Sequence, residues 1–276
     1  MDWPALEFHP TECCWEGVPQ PLQEAVKEIS LPIRCISLED LPGQRASFPR
    51  RPLLTYREGK LGVWQPSGLQ AEFFALDWTD LAGRWSKRPI RSGPLFRATR
   101  SKSLEFVVDA TTGSGKDALF LSSMGHQVKA YERDPVVYLL LFDAHYRLLQ
   151  SEVANFTQLA RRISLSWGDV RQVGNFSSNS SWAFFYDPMY TSTGGKGARK
   201  RDRHTLPRKD MQLLRWREKA WPEQEGQDEI LHVLQWACDK GGKPAILKRP
   251  LKAPKTALNT ANLRLENIFK GKTTRY

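Results

Sequence analysis

The apolar positions of the chain fall in short blocks set apart by turn residues, and the rhythm of those blocks changes about a third of the way along. In the first hundred residues the clearest unit is Leu53-Leu54-Thr55-Tyr56-Arg57-Glu58-Gly59-Lys60-Leu61-Gly62-Val63-Trp64. Two β-prone runs about a Glu-Gly pair predict a hairpin. Over 76–102 the pattern dissolves: Gly83, Pro89, Gly93 and Pro94 interrupt it, and Arg84, Lys87, Arg88, Arg91, Arg97 and Arg100 punctuate it, which reads as a basic linker. Beyond it, strand and helix patterns alternate. Residues 104–110 form an apolar, β-branched run that ends in the turn Thr111-Thr112-Gly113-Ser114-Gly115, and 117–124 continue as a helix. A second strand is predicted over 127–131, and Asp134-Pro135 offers a cap and a first-position proline for a helix through Leu149. Strands follow at 162–166, 182–186 and 245–247, with a helix over 228–239 closed by Gly241-Gly242 and a last strand pair at 263–265 and 268–269. The expected fold is α/β: a doubly wound, mostly parallel, Rossmann-like sheet over 103–276, preceded by a small N-terminal α+β region over 1–75 and the linker. Ligands of such sheets bind beyond the carboxyl ends of the strands.

Composition narrows the function classes. With 276 residues, 40% hydrophobic and 26% charged, the chain can bury a substantial core, which excludes a disordered or fibrous protein. Cys13, Cys14, Cys35 and Cys238 include no C-x-x-C pair and no histidine at metal spacing, so neither a zinc site nor a disulfide framework is expected. The longest apolar run, 136–142, has seven residues where a span needs about 20. Because Met1-Asp2-Trp3-Pro4 does not open a signal peptide, the expectation is a cytoplasmic protein with no membrane partner.

Charge is unevenly placed. Residues 188–276 carry twenty basic and nine acidic side chains, which equals the whole net charge of +11. The densest part, 194–209, holds Lys196, Arg199, Lys200, Arg201, Arg203, Arg208 and Lys209 behind a Gly-Gly pair. Such a segment suits a polyanion, although a solvated loop held open by self-repulsion has the same composition. Nucleic acid is favoured over a membrane because no apolar helix face accompanies the charge.

The candidate chemistry sits at the predicted strand ends. Asp109-Ala110-Thr111-Thr112-Gly113-Ser114-Gly115-Lys116-Asp117 joins the first strand to its helix, where glycines permit close backbone approach and the helix start favours an anionic group. A phosphate-binding P-loop is disfavoured, since Ala110 stands at its first glycine and Asp117 follows the lysine. The loop alone leaves NAD open. Glu132, just after the second strand, can accept ribose hydroxyls of an adenosine cofactor, and Asp169 after the third can meet an adenine amino group. The strand 182–186 ends in Asp187-Pro188-Met189-Tyr190. An exocyclic amine is a weak nucleophile because its lone pair is delocalised into the ring. The Asp187 carboxylate and Pro188 carbonyl can accept its hydrogens, while Tyr190 offers a stacking face, with no metal required.

With these residues together the chain resembles the class I S-adenosylmethionine-dependent methyltransferases, and more narrowly the ribosomal small subunit methyltransferase J family of 16S ribosomal RNA guanine-N2 methyltransferases. The resemblance rests on the glycine loop, on Glu132-Arg133-Asp134-Pro135-Val136-Val137, on Tyr186-Asp187-Pro188-Met189-Tyr190, and on Leu247-Lys248-Arg249-Pro250 with Ala253-Pro254. It implies a Rossmann-like methyltransferase sheet and S-adenosylmethionine as cofactor, held by Asp109, Gly113, Gly115, Lys116, Asp117, Glu132, Arg133, Asp169, Val170 and Asp187. Asp187, Pro188 and Tyr190 would act on a guanine of ribosomal RNA or of the small ribosomal subunit. Lys196, Arg199, Lys200, Arg201, Arg203, Lys248 and Arg249 would hold the RNA backbone. Three alternatives stay open on the residues alone: adenine N6 as acceptor, a protein glutamine amide, and an RNA binder that has lost catalysis.

Overall fold

The computed structural model describes residues 6–9, 17–29, 33–35, 53–67, 70–87, 92–100, 103–176, 180–188, 227–250 and 274–275. Met189, Tyr190, the basic segment with Lys196, Arg199, Lys200, Arg201 and Arg203, Ala253-Pro254 and the strand pair expected at 263–269 lie outside the described residues.

The carboxyl-terminal half holds a five-stranded sheet: β6 (Phe106–Asp109), β7 (Gln127–Glu132), β8 (Ile163–Trp167), β9 (Trp182–Tyr186) and β10 (Gly242–Leu247). The spatial order is β10-β9-β6-β7-β8, and every neighbouring pair is parallel. Chain order thus reverses between β6 and β9, the switch point at which doubly wound sheets open a crevice. The connecting helices are α4 (Lys116–Ser123), α5 (Pro135–Leu149), α6 (Ala154–Arg161), α7 (Val170–Val173) and α8 (Gln227–Asp239). As expected, Asp134 caps α5: its Oδ1 accepts from Val136 N–H at 2.9 Å and Val137 N–H at 3.0 Å. The doubly wound fold read from the sequence is the one observed.

The N-terminal region folds as a second five-stranded sheet, β2-β1-β3-β4-β5, built from β1 (Leu6–His9), β2 (Ile33–Cys35), β3 (Leu53–Arg57), β4 (Lys60–Ser67) and β5 (Gln70–Ala75), with α1 (Gln20–Glu28). The β3–β4 hairpin turns at Glu58 (φ 53°) and Gly59 (φ 74°), and two left-handed residues in succession match the twist of the flanking strands. The stretch expected as a linker holds two helices, α2 (Thr79–Lys87) and α3 (Pro94–Thr99). A short antiparallel ladder, β11 (Arg249–Pro250) with β12 (Thr274–Arg275), follows β10.

Helix α5 joins the two sheets. Its run Val136 to Leu141 is buried on all sides, because one flank meets β7 and β8 and the other meets α1 and β4. Leu22, Val26, Leu54, Leu61 and Val63 of the N-terminal region therefore share one apolar core with Leu119, Val128, Leu139, Leu140 and Ile163. No helix among the described residues is long and apolar enough to cross a membrane.

Candidate active site

Each of the five parallel strands delivers one charged side chain at or just beyond its carboxyl end: Asp109 from β6, Glu132 from β7, Asp169 from β8, Asp187 from β9 and Lys248 from β10. The ladders run past the strands to place them. Ala110 N–H donates to Phe185 O at 3.0 Å, Gly168 N–H to Glu132 O at 2.9 Å, and Lys248 N–H to Tyr186 O at 2.9 Å.

The loop after β6 is held from three directions. Thr112 N–H donates to Tyr131 O at 3.1 Å, Asp187 N–H donates to Thr111 Oγ1 at 2.7 Å, and Trp78 Nε1–H donates to Ser114 O at 3.0 Å. Gly115 (φ 75°) is required by the last of these. A Cβ there would lie 2.1 Å from Trp78 Cζ2 and 2.6 Å from Leu141 Cδ1, so its bareness admits the supporting indole beneath the loop.

Glu132 closes the loop from the side: Oε2 accepts from Gly113 N–H at 2.8 Å and Oε1 from Asp134 N–H at 2.8 Å. Burial pushes its carboxyl up to about 7, assisted by nearby Asp134 and opposed by these two hydrogen bonds and by Arg133. Asp109 is fully buried. Its Oδ1 accepts only a long bond from Thr111 N–H at 3.3 Å, and Oδ2 has no partner among the described residues. Burial, with Asp117 and Asp187 close by, raises its pKa well above the usual range against the pull of the Thr111 amide and Lys248.

Asp117, in the first turn of α4, and Asp187 are bridged by Lys248, whose Nζ lies 2.6 Å from Asp117 Oδ2 and 2.8 Å from Asp187 Oδ2. Burial raises the Asp187 carboxyl to about 6, Lys248 pulls it down and Asp117 pushes it up. The Asp187 side chain remains 32% exposed to the cleft, so an incoming ligand can reach it. Pro188 is buried beside it.

Asp169 is placed at the rim and caps α7, but Arg171 engages both of its oxygens, at 3.0 Å from Nε and 2.6 Å from Nη2. Burial raises its pKa, yet the Arg171 hydrogen bonds outweigh it and the net shift is downward. Arg171 in turn reaches Glu229 of α8 at 2.7 Å. Of Lys248 and Arg249, expected on the RNA backbone, Lys248 joins the carboxylates and Arg249, in the β11–β12 ladder, is 6% exposed.

The set fits S-adenosylmethionine. Lys248 pairs with two carboxylates, Asp117 and Asp187, while nearby Asp109 keeps a buried oxygen with no partner among the described residues, a set that suits a ligand bearing an ammonium and a sulfonium. Glu132 retains lone pairs for two hydroxyls. Among the described residues no group of three metal-ligating side chains is present.

One participant, and the pairing of a second, are not marked in the sequence. Trp78 was read as part of a linker, and nothing local marks an indole whose partner lies 36 residues on. Lys248 was read with the basic tail. The available signal was its position directly after a strand, the place the four acids also occupy.

The model of a family of SAM-dependent methyltransferases matches residues 54–276. Curated relatives named "Ribosomal RNA small subunit methyltransferase J" include one from Magnetococcus marinus, 32% identical over 190 residues, covering 68% of this chain and 67% of the relative. Others come from Alcanivorax borkumensis, 28% identical over 73% of this chain and 74% of the relative, and Thioalkalivibrio sulfidiphilus, 29% identical over 76% and 75%. Among solved structures, a SAM-dependent methyltransferase from Neisseria gonorrhoeae superposes with a TM-score of 0.62 at 18% identity, covering 98% of this chain and 93% of that one, a likeness of fold.

Proposed function

The chain belongs to the SAM-dependent methyltransferase family of the ribosomal RNA small subunit methyltransferases J, and from that premise we propose that it methylates the exocyclic N2 of a guanine in 16S ribosomal RNA. One observation carries the acceptor chemistry. Asp187 and Pro188 stand at the switch-point end of β9, with the Asp187 backbone fixed by Thr111 and its carboxylate open to the cleft. The names of the relatives support small-subunit ribosomal RNA as substrate, and the basic excess over 188–276 agrees with a polyanion.

On this reading Glu132 would hold the ribose hydroxyls, Asp109 and Asp117 the ammonium, Lys116 and the first amides of α4 the carboxylate, and the Asp169-Val170 turn with Arg133 the adenine side. Gly113 and Gly115 shape the loop between them. Bound S-adenosylmethionine supplies an activated methyl group on a sulfonium, so no metal or strong base is needed. The chain's own residues align the amine. The Asp187 carboxylate and Pro188 carbonyl accept its two hydrogens, which localises the lone pair on nitrogen and points it along the methyl–sulfur axis, and Tyr190 would stack on the base. The cofactor would supply the methyl group and depart as a neutral thioether, while the amine nitrogen would give up one of its two hydrogens as a proton to water at the cleft mouth, with Asp187 and Pro188 holding the nitrogen in place throughout. A guanine inside a helix cannot reach such a pocket, so the target must lie in a loop or be flipped out.

The test is incubation with labelled S-adenosylmethionine and small-subunit RNA or particles that lack the modification, followed by nucleoside analysis. Label in N2-methylguanosine, reduced about a hundredfold or more by Asp187→Ala, is the expected result. Label in N6-methyladenosine or in protein would overturn the acceptor.

A further inference from the structure

Lys248 makes contacts that the transfer chemistry above leaves unused. Its Nζ reaches Asp117 Oδ2 and Asp187 Oδ2 at 2.6 and 2.8 Å, its backbone N–H donates to Tyr186 O at 2.9 Å, and its side chain is 19% exposed. The residue is thus anchored at both ends to the β9 tip that carries Asp187. We propose that Lys248 is a positioning residue for methyl transfer, clamping the Asp187 carboxylate through Oδ2 so that Oδ1 is left for the acceptor amine. This assignment rests on the amine-methylation reading.

The physical need is specific. A carboxylate at a strand end rotates freely about its last torsion, and an amine aligned by a rotating acceptor loses most of the benefit of alignment. The clamp fixes that torsion, and among the described residues no hydrogen bond reaches Asp187 Oδ1. The same ammonium ties the start of α4 to β9 through Asp117, so the two sides of the cleft keep one spacing. It also settles the charge state. Among the described residues, the titratable groups that face Asp187 are Asp109 from β6, Asp117 from α4 and Lys248 itself, two acids and one base. Removing the base leaves three carboxyls together, a site in which Asp187 takes up a proton and ceases to be an acceptor.

The rival role is a phosphate contact, and the two separate in kinetics. Full-length Lys248→Met and Lys248→Arg are compared with the unmodified protein for kcat, for KM toward RNA, and for their pH dependence. Binding of S-adenosylhomocysteine by calorimetry and NMR titration of ¹³C-labelled aspartate carboxyls are followed alongside. Lys248→Met is expected to lower kcat about tenfold or more at pH 7 with KM changed less than about threefold. Its acid limb and the Asp187 titration are expected to move up by about a pH unit, and Lys248→Arg to recover most of both. Retained S-adenosylhomocysteine binding shows the variant is folded. Unchanged kcat and an unmoved Asp187 titration would overturn the assignment, as would a raised KM with an unmoved acid limb, the mark of a phosphate contact. If the unmodified protein methylates no RNA amine, it is the function reading that fails.

Discussion

Glu132, proposed above to hold the ribose hydroxyls, is fixed by the backbone around it. Two backbone N–H groups, from Gly113 and Asp134, hold its oxygens at 2.8 Å each, yet burial still lifts its carboxyl to about 7 from an ordinary 4.5. A carboxyl whose folded-state value is raised adds stability that is complete below pH 4.5 and is lost as the pH climbs through 7. Glu132→Gln removes that titration. Whatever constant offset the amide introduces, unfolding free energies are expected to show the unmodified protein losing about 1–2 kcal/mol to the variant between pH 5 and pH 8, after discounting for its partial exposure. Denaturant titrations at the two pH values measure this, and a difference that does not change with pH contradicts it. S-adenosylhomocysteine binding should fall in the variant, because an amide oxygen already bonded to one N–H has fewer lone pairs for ribose hydroxyls. Residues of this kind were legible because each follows a strand directly. What stayed hidden was how partners divide them: Asp169 is taken by Arg171 two residues on, in the helix it caps, and Lys248 by two acids, of which Asp117 lies far back along the chain.

At the scale of elements, the loop between β6 and α4 depends on a residue outside the parallel sheet. Trp78, 2% exposed, lies under Gly115 and donates to Ser114 O at 3.0 Å. Asp77 beside it is held by Lys60 at 2.7 Å and lies 3.8 Å from Arg147, and Arg147 also donates to Leu76 O, so the support is pinned to β4 and α5. Burial alone would raise the Asp77 carboxyl, but hydrogen bonds from Lys60 and Thr79 bring it to about 2. Trp78→Phe keeps most of the ring and drops the donor. It is expected to weaken S-adenosylhomocysteine binding by about three- to tenfold while costing only about 1–2 kcal/mol of stability. Trp78→Ala should cost about 3–5 kcal/mol. Equal affinity in Trp78→Phe and the unmodified protein, by calorimetry, would show that the loop holds itself. The helices around this support were read as linker for a concrete reason. Gly93 and Pro94 look like breakers, but Pro94 is the first residue of α3 and Gly93 (φ 104°) its cap. Gly83 lies within α2, 3.6 Å from Phe156 by the position its Cβ would take. By contrast α5 was readable to the residue, since Asp134 caps it with two side-chain bonds.

For the whole molecule, the question is whether the N-terminal sheet is an attachment or part of the same folding unit. Strand alternation predicted a doubly wound, mostly parallel sheet, and that is the sheet observed, because right-handed crossovers leave few arrangements of strands alternating with helices. The same reasoning could not place the N-terminal region, whose hairpin is local but whose α1 and β4 pack against α5, far along the chain. The apolar run 136–142, too short for a membrane, has its explanation here: in α5 it is packed between two sheets and so has no polar face. Cutting the chain before residue 76 would uncover Val136, Leu139 and Leu140 and remove Leu54, Leu61 and Val63 from the shared core, although every strand-end residue of the site remains. At about 1.5–3 kcal/mol per large apolar side chain returned to water, a few such residues equal the whole stability of a domain. The intact protein is therefore expected to unfold in one calorimetric transition, and the shortened chain to lose cooperative unfolding and S-adenosylhomocysteine binding together. Two resolved transitions, or a shortened chain that binds with unchanged affinity, would make the N-terminal sheet an accessory rather than a wall of the catalytic core.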